Sequence, residues 1–129
     1  MENKIFRARR LDDGMWVEGG LFRNADLTKT CIIKYGDNSM TPIYVRTETI
    51  GQKTGIKDSI GVDIWEGDSV LVYFGEIARV FTVYFDEGFN EFEIIDDDDD
   101  TGRVRRLSDY RFCCKVIGKC DDLSRVKIK

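Results

Sequence analysis

Residues 54–68 constrain the fold more than any other segment of this chain, because three turn signals surround one short apolar stretch. One turn contains Asp58, which can bond its own backbone two residues on, and Gly61, which can adopt a positive φ at no steric cost. Residues 62–65 alternate between apolar and polar side chains, as a half-buried strand does, and residues 66–68 form a further turn. The segment therefore predicts a short strand held between tight turns.

The residues that follow extend this prediction. Residues 69–74 form a nearly unbroken apolar run, which is typical of a strand covered on both sides. Two short strands that leave a sharp turn at an angle are a common way to form a corner in a small β-barrel.

The carboxylates of this segment admit two interpretations, metal ligands or turn caps. They are Asp58, Asp63, Glu66 and Asp68. Their spacing does not fit an EF-hand loop, and the chain contains no histidine. We therefore interpret them as turn-capping residues that stay solvated, and we expect no metal site.

The same segment carries a resemblance to a known family. The residues concerned are Thr54, Gly55, Ile56, Lys57, Asp58, Gly61, Ile64, Glu66, Gly67 and Asp68. In this order and spacing they resemble the core motif of the YopX family of phage and prophage proteins. Residues 5–8 resemble the opening strand of the family, residues 49–52 the segment before the core motif, and residues 116–118 with 121–123 the closing segment.

The resemblance implies a small, mainly β protein with an SH3-like β-barrel in its C-terminal part. It also implies a prophage or mobile-element origin. It implies no catalytic residues and no cofactor, because none is associated with the family motif.

Strand patterns along the chain agree with a mainly β fold. The 129 residues predict a single domain, with a strand-rich part over about residues 1–50 and a barrel part over about residues 51–129. Pro42 cannot donate to a sheet ladder, so the strand that follows it is predicted to lie at an edge or to begin at this residue. No helical pattern of ten or more residues is present.

Several strands are predicted in the second half of the chain. Residues 77–86 form one, with Ile77, Phe81, Val83 and Phe85 on the same side. Residues 89–96 form the next, and residues 103–107 a short one. Residues 111–118 predict a strand with Phe112, Cys114 and Val116 inward. Short turns or single helical turns are predicted at residues 24–29 and 108–110, and a terminal strand at residues 126–129.

Composition excludes several activities. A hydrophobic fraction of 42% and 12% aromatic residues are enough for a core without disulfides or a metal. Without histidine, the chain lacks the commonest general base and the Ser-His and Cys-His nucleophile pairs. No glycine-rich phosphate loop is present. We therefore expect no enzymatic activity.

The same composition bears on location. Neither a membrane-spanning run nor an apolar signal region occurs, so we expect a protein of the bacterial host cytoplasm with no membrane partner. The four cysteines include no C-x-x-C pair, so they are interpreted as reduced, core-type thiols. Cys113 and Cys114 are predicted to face opposite sides of a strand.

An acidic run and a basic segment are the remaining candidate contacts. The acidic residues are Asp96, Asp97, Asp98, Asp99 and Asp100, and the basic ones are Arg103, Arg105 and Arg106. The chain has a formal net charge of −4, and without these five aspartates the net charge would be positive, so the acidity of the chain is concentrated in this run. The run is interpreted as a solvated, extended hairpin tip, with a weak Ca²⁺ site or a mimic of nucleic-acid phosphates as alternatives. The arginines either pair with these aspartates or contact phosphates, with Tyr110 stacking on a base.

Three classes of function follow from these features. The favoured class is a non-catalytic binding or adaptor module that presents a barrel surface to a protein partner. The alternatives are a nucleic-acid-binding small barrel and a small enzyme, and the acidic balance does not favour nonspecific binding to DNA. Exposed strand edges also predict self-association into a homo-oligomer.

The turn interpretation predicts the effect of two substitutions. Gly61→Val and Gly67→Val should each destabilise the fold strongly, by roughly 1–3 kcal/mol, because β-branched residues are poorly tolerated at positive φ. Thermal unfolding of the purified variants measures the effect. Soluble variants as stable as the wild type would show that the turns are assigned incorrectly.

Overall fold

The computed structural model describes residues 4–23, 29–35, 41–98 and 103–119. The strands are β1 (Phe6–Arg9), β2 (Trp16–Arg23), β3 (Thr30–Ile33), β4 (Ile43–Tyr44), β5 (Gly51–Lys57), β6 (Asp63–Trp65), β7 (Asp68–Phe74), β8 (Ile77–Asp86), β9 (Glu91–Asp96), β10 (Val104–Arg106) and β11 (Cys114–Lys119). Two 3₁₀ helices, η1 (Thr47–Thr49) and η2 (Leu107–Cys113), complete these elements. The mainly β prediction is confirmed, and the chain divides into two compact units, Met1–Lys53 and Thr54–Lys129.

The first unit is built on the antiparallel order β4-β3-β2-β1-β5. The first half of β2 pairs with β1 and its second half pairs with β3, so the partner changes after Gly19. Its buried core consists of Ala8, Val17, Ile32 and Val45. Strand β4 follows Pro42 and lies at one end of this order, as predicted.

The segment after β4 is also tied to the segment after β1. Arg10 and Val45 form an isolated antiparallel bridge. The Leu11 N–H donates to the Tyr44 carbonyl at 2.9 Å, and the Arg46 N–H donates to the Arg9 carbonyl at 2.9 Å. The bond from Leu11 therefore occupies one outward carbonyl of the end strand β4, and the other contacts lie just beyond this strand.

Strand β5 continues across the boundary between the units. Gly51 and Gln52 pair with β1, whereas the part from Thr54 onward belongs to the second unit, where β6 is its neighbour. Gly55 has a φ of 78° inside this strand, so this positive φ lies within a strand and not at a chain reversal.

The second unit contains a five-stranded antiparallel sheet in the order β10-β9-β8-β7-β11. The pairings among the described residues leave β10 and β11 as the two ends of an open order. Alternate residues of β7, β8 and β9 point to one side, as the period of a strand requires. They build a core with residues from β6, η2 and β11, namely Ile64, Val70, Val72, Phe81, Val83, Ile94, Leu107 and Cys114.

The predicted strand over residues 111–118 is wrong in its first part. Residues 107–113 form η2, and Phe112 is 82% exposed instead of inward. A 3₁₀ helix has three residues per turn, so Leu107, Tyr110 and Cys113 share one side, and all three contact the core. Cys113 and Cys114 therefore both pack against the core and do not face opposite sides of a strand.

One side chain of β8 is more exposed than the strand pattern predicts. Ile77 shares a side with Phe81 and Val83 but is 64% exposed, because it lies at the open start of β8. The turn predicted within residues 24–29 and the terminal strand predicted at residues 126–129 lie largely or wholly outside the described residues.

Two isoleucines provide a matched test of this core. Ile64 is fully buried, so Ile64→Ala should lower the free energy of unfolding by about 2–5 kcal/mol through lost burial and a residual cavity. Ile77→Ala makes the same chemical change at an exposed site and should cost at most about 0.5 kcal/mol. Urea unfolding measures both, and equal losses would contradict the assignment of the core.

Candidate functional site

Two glycines of residues 54–68 adopt the backbone conformation that the turn interpretation requires. Gly61 has a φ of 88° and Gly67 a φ of 89°. The Gly61 N–H donates to the Asp58 carbonyl at 3.1 Å, and the Gly67 N–H donates to the Val83 carbonyl at 2.8 Å. The predicted positive φ angles are confirmed at both positions.

Asp58 holds the first of these turns through its carboxylate. The N–H groups of Ile60 and Val62 donate to Asp58 Oδ1 at 3.0 and 2.9 Å. The bond from Ile60 is the two-residue contact that the sequence predicts. A third N–H, from Val116, donates to Asp58 Oδ2 at 2.9 Å. Burial raises the pKa of this carboxyl, but the N–H donors outweigh burial and hold the pKa below its usual value.

The same turn covers one edge of the five-stranded sheet. Strand β11 is an end strand, and its Cys114 carbonyl accepts a bond from the Ser59 N–H at 3.0 Å. Together with the bond from Val116 to Asp58, this occupies outward backbone groups of β11. The turn at residues 58–61 thus takes the place of a neighbouring strand.

Thr54 and Asp68 stabilise the backbone on either side of β6. The Thr54 hydroxyl donates to the Ile64 carbonyl at 2.7 Å and accepts a bond from the Ile56 N–H at 3.0 Å. Asp68 Oδ2 accepts a bond from the Trp65 N–H at 2.8 Å across the second turn. Each side chain therefore satisfies backbone groups of this segment.

The expectation that these carboxylates stay solvated is wrong for two of them. Asp58 is 6% exposed and Asp68 is 1% exposed. Both are buried because their oxygens replace water as acceptors for backbone N–H groups. Glu66 is half-buried, and Lys57 pairs with Asp63 at 3.2 Å. Residues 54–68 are therefore a structural frame, and in the described ranges no three His, Cys, Asp or Glu side chains are grouped to hold a metal.

The acidic run begins inside the sheet. Asp96 is the last residue of β9, is 9% exposed and forms an ion pair with Arg79. The Thr82 hydroxyl donates to Asp97 Oδ1 at 2.6 Å, while burial and the adjacent Asp96 and Asp98 raise the pKa of Asp97. The description of the whole run as a solvated tip is therefore wrong at Asp96. Asp99 and Asp100 lie outside the described residues.

Two of the three arginines have partners other than the described aspartates. Arg105 Nη1 donates to the Tyr110 hydroxyl at 2.8 Å, and its guanidinium lies over the Phe74 ring at 5.5 Å. Arg106 Nε lies 3.5 Å from Glu91 Oε2. Arg103 is exposed. Among the described residues, Arg105 thus contacts Tyr110 and Phe74, and Arg106 contacts Glu91 of β9, where pairing with the acidic run was one of the two interpretations.

A surface that the sequence did not single out lies on the opposite side of the five-stranded sheet from the core. We call it the outer face and define it by Leu71, Tyr73, Val80, Tyr84, Ile95 and Val104. Leu71 pairs with Val80, and Ile95 pairs with Val104, so these residues meet across the strands. The apolar residues interleaved with the core positions of β7 and β8 were the signal for it.

The outer face is partly open to solvent. Tyr73 is 46% exposed, Tyr84 47% and Val104 45%, whereas Leu71, Val80 and Ile95 are half-buried. Charged side chains border it, because Tyr84 pairs with Glu93, which in turn pairs with Arg106. The arrangement is a half-buried apolar centre with aromatic and charged surroundings.

The first unit contains a cavity of about 590 Å³ beside β4. Its lining includes Lys29, Tyr44, Arg46 and Glu48, and the Lys29 ammonium lies 5.4 Å from the centre of the Tyr44 ring. Cations and a carboxylate share this lining, so it does not indicate one class of ligand.

The Cys114 thiol at the start of β11 is not arranged as a nucleophile. Cys114 is fully buried, and burial, with Asp58 and Cys113 nearby, raises its pKa to about 11. Such a thiol stays protonated at neutral pH and reacts slowly.

Comparison with protein families identifies a family that the chain matches. The family model described as YopX protein matches residues 5–123. No curated protein matches the chain. Among the described residues, no helix is long and apolar enough to cross a membrane.

Asp58 allows a test of the structural frame. Asp58→Asn removes the charge and replaces one acceptor oxygen by an amide group, so it should destabilise the protein by about 2–3 kcal/mol at pH 7. Asp109→Asn, at an exposed position of η2, is the matched control and should have little effect.

The depressed pKa of Asp58 also fixes the sign of a pH effect. Its stabilisation is present above the unfolded pKa, near 3.8, and is lost as the pH falls through the lower folded pKa. Urea unfolding between pH 7 and pH 2 should therefore show that the gap between wild type and Asp58→Asn narrows below about pH 3.8. A gap that stays constant down to pH 2 would contradict the role of the charged carboxylate.

Proposed function

The chain belongs to the YopX family, and on that premise we propose that it is a non-catalytic binding or adaptor module whose outer face contacts a protein partner. The observation that carries this proposal is the exposure of Tyr73, Tyr84 and Val104 around a half-buried apolar centre. Tyrosines beside apolar side chains are enriched in the central part of protein interfaces.

Nucleic-acid binding is the alternative, and the charges favour it less. Arg105 is engaged with Tyr110 and Arg106 with Glu91, so both lie beside groups that compete with phosphate. Glu93 and Asp97 also belong to strand β9 and its end, next to the outer face. A phosphate backbone would meet these carboxylates at close range.

The acidic run is a second candidate contact. Asp97 and Asp98 are exposed, so they can meet a basic partner, including one that normally binds nucleic acid. Asp96 contributes less to such a contact, since it is buried against Arg79.

The remaining expectations belong to the same proposal. We place the protein in the cytoplasm of a bacterial host of a phage or prophage, without a cofactor or a membrane partner, and allow for a homo-oligomer. The second unit is proposed to be SH3-like, which the five-stranded sheet packed against β6 supports. The whole chain is proposed to act as one YopX-type domain.

Affinity capture from host lysate tests the proposal with matched variants. A double variant, Tyr73→Ser with Tyr84→Ser, removes the aromatic part of the outer face and should reduce the captured partner at least tenfold. Phe112→Ser removes an aromatic ring that is 82% exposed on η2 and should leave capture unchanged. Thermal unfolding checks that both variants fold.

Two outcomes would contradict the proposal. Equal capture by wild type and the double variant would show that the outer face is not the contact. Fluorescence anisotropy that shows tight, salt-sensitive binding of labelled DNA or RNA, without a protein partner, would favour the nucleic-acid alternative.

A further inference from the structure

The two ends of the five-stranded sheet differ in how their outward backbone groups are used. On β11, the Cys114 carbonyl and the Val116 N–H are bonded to Ser59 and Asp58. An uncovered edge strand offers its N–H and C=O groups to another chain. The other end strand, β10, therefore decides whether this sheet can accept a further strand.

The backbone direction of β10 follows from the pairing of its neighbours. The Asp97 N–H donates to the Val80 carbonyl, so the odd-numbered residues at this end of β9 direct their backbone groups toward β8. Backbone direction alternates along a strand, so Ile94 is directed toward β10, where it pairs with Arg105. Val104 and Arg106 consequently direct their N–H groups away from the sheet. In the described part of the chain, no hydrogen bond to these two N–H groups is present.

The side chains at this edge determine which strand it can accept. Arg103 and Arg106 are exposed beside Val104, which is 45% exposed. A second copy of this chain placed edge to edge would bring arginines against arginines, which like-charge repulsion disfavours. A strand in which acidic and apolar residues alternate would instead place carboxylates on the side of Arg103 and apolar residues on the side of Val104.

Strand β9, which already pairs with β10, sets acidic side chains against an arginine of β10. Strand β9 alternates acidic and apolar residues, Glu91, Phe92, Glu93 and Ile94, before it ends in the aspartate run. Glu93 pairs directly with Arg106, and Glu91 forms an ion pair with it.

From these contacts we propose that the outer edge of β10 is a docking site for an extended segment of a partner protein in which acidic and apolar residues alternate. The segment adds a sixth strand and bonds the outward N–H groups of Val104 and Arg106. Because successive side chains of a strand point to opposite sides, its apolar residues lie beside Val104 and its carboxylates lie on the other side, near Arg103. The inference rests on the proposed function, since it specifies how a protein partner is bound.

An NMR titration tests the site directly with a defined probe. The probe is a synthetic peptide with the sequence of residues 90–98, added to the ¹⁵N-labelled full chain. The amide signals of Val104 and Arg106 should shift and their hydrogen exchange should slow at least tenfold, whereas Arg105, already bonded to β9, should change little. A peptide with lysine at every acidic position is the control and should bind at least tenfold more weakly. No change at β10 up to millimolar peptide, or shifts confined to other elements, would overturn the inference.

A substitution at Val104 tests whether the backbone of the β10 edge is needed for peptide binding. Val104→Pro removes the outward N–H, and proline is tolerated where a strand N–H faces solvent. It should lower peptide affinity at least tenfold, while Asp109→Asn, at an exposed position of η2, should bind within about threefold of wild type. If Val104→Pro does not fold, Arg103→Glu replaces it and should weaken binding severalfold. Unchanged binding by the folded variant would contradict the proposal.

The captured partner distinguishes this inference from the proposed function. Loss of the partner in the Tyr73 and Tyr84 double variant, but not in Val104→Pro, would overturn the edge site and leave the proposed function standing. Loss of the captured partner in Val104→Pro as well as in the double variant supports both the edge site and the proposed function. If no protein is captured by wild type, the proposed function fails, and the peptide titration still decides whether the edge accepts an acidic strand.

Discussion

The buried carboxylate of Asp58 is the interaction on which the second unit depends most. One oxygen accepts N–H groups from its own turn, and the other accepts the Val116 N–H, 58 residues further along the chain. A single charged group thus closes a local turn and fixes a distant strand. A carboxylate can replace a neighbouring strand in this way because three hydrogen bonds offset the cost of its burial.

The contact of Asp58 with β11 also determines which edge of the five-stranded sheet is covered. The turn at residues 58–61 occupies the edge of β11, so within the described part of the five-stranded sheet the edge that remains open is that of β10. The outer face and the β10 edge adjoin each other, since Val104 belongs to both. The two proposed contact surfaces therefore lie in one region of the second unit, whereas residues 54–68 cover the other edge of the sheet.

Much of the strand pattern could be predicted from local sequence, and the misses have identifiable causes. The turns at Gly61 and Gly67 and the edge strand after Pro42 follow from backbone restrictions that act within a few residues. The turn or single helical turn predicted at residues 108–110 lies within the 3₁₀ helix at residues 107–113. The extension of this helix to residue 113 was not predicted, because Phe112 continues an alternation that suggests a strand, whereas Leu107, Tyr110 and Cys113 share one side through a spacing of three.

The sequence by itself determined a mainly β chain, the positions of its tight turns and its membership of the YopX family, because these depend on residue type and short spacing. Only the tertiary structure decided that Asp58 and Asp68 are buried, that Arg105 and Arg106 are held by Tyr110 and Glu91, and that an outer face exists. Each of these depends on which strands become neighbours. Strand pairing joins residues far apart in the chain, and local sequence patterns do not specify which strands pair.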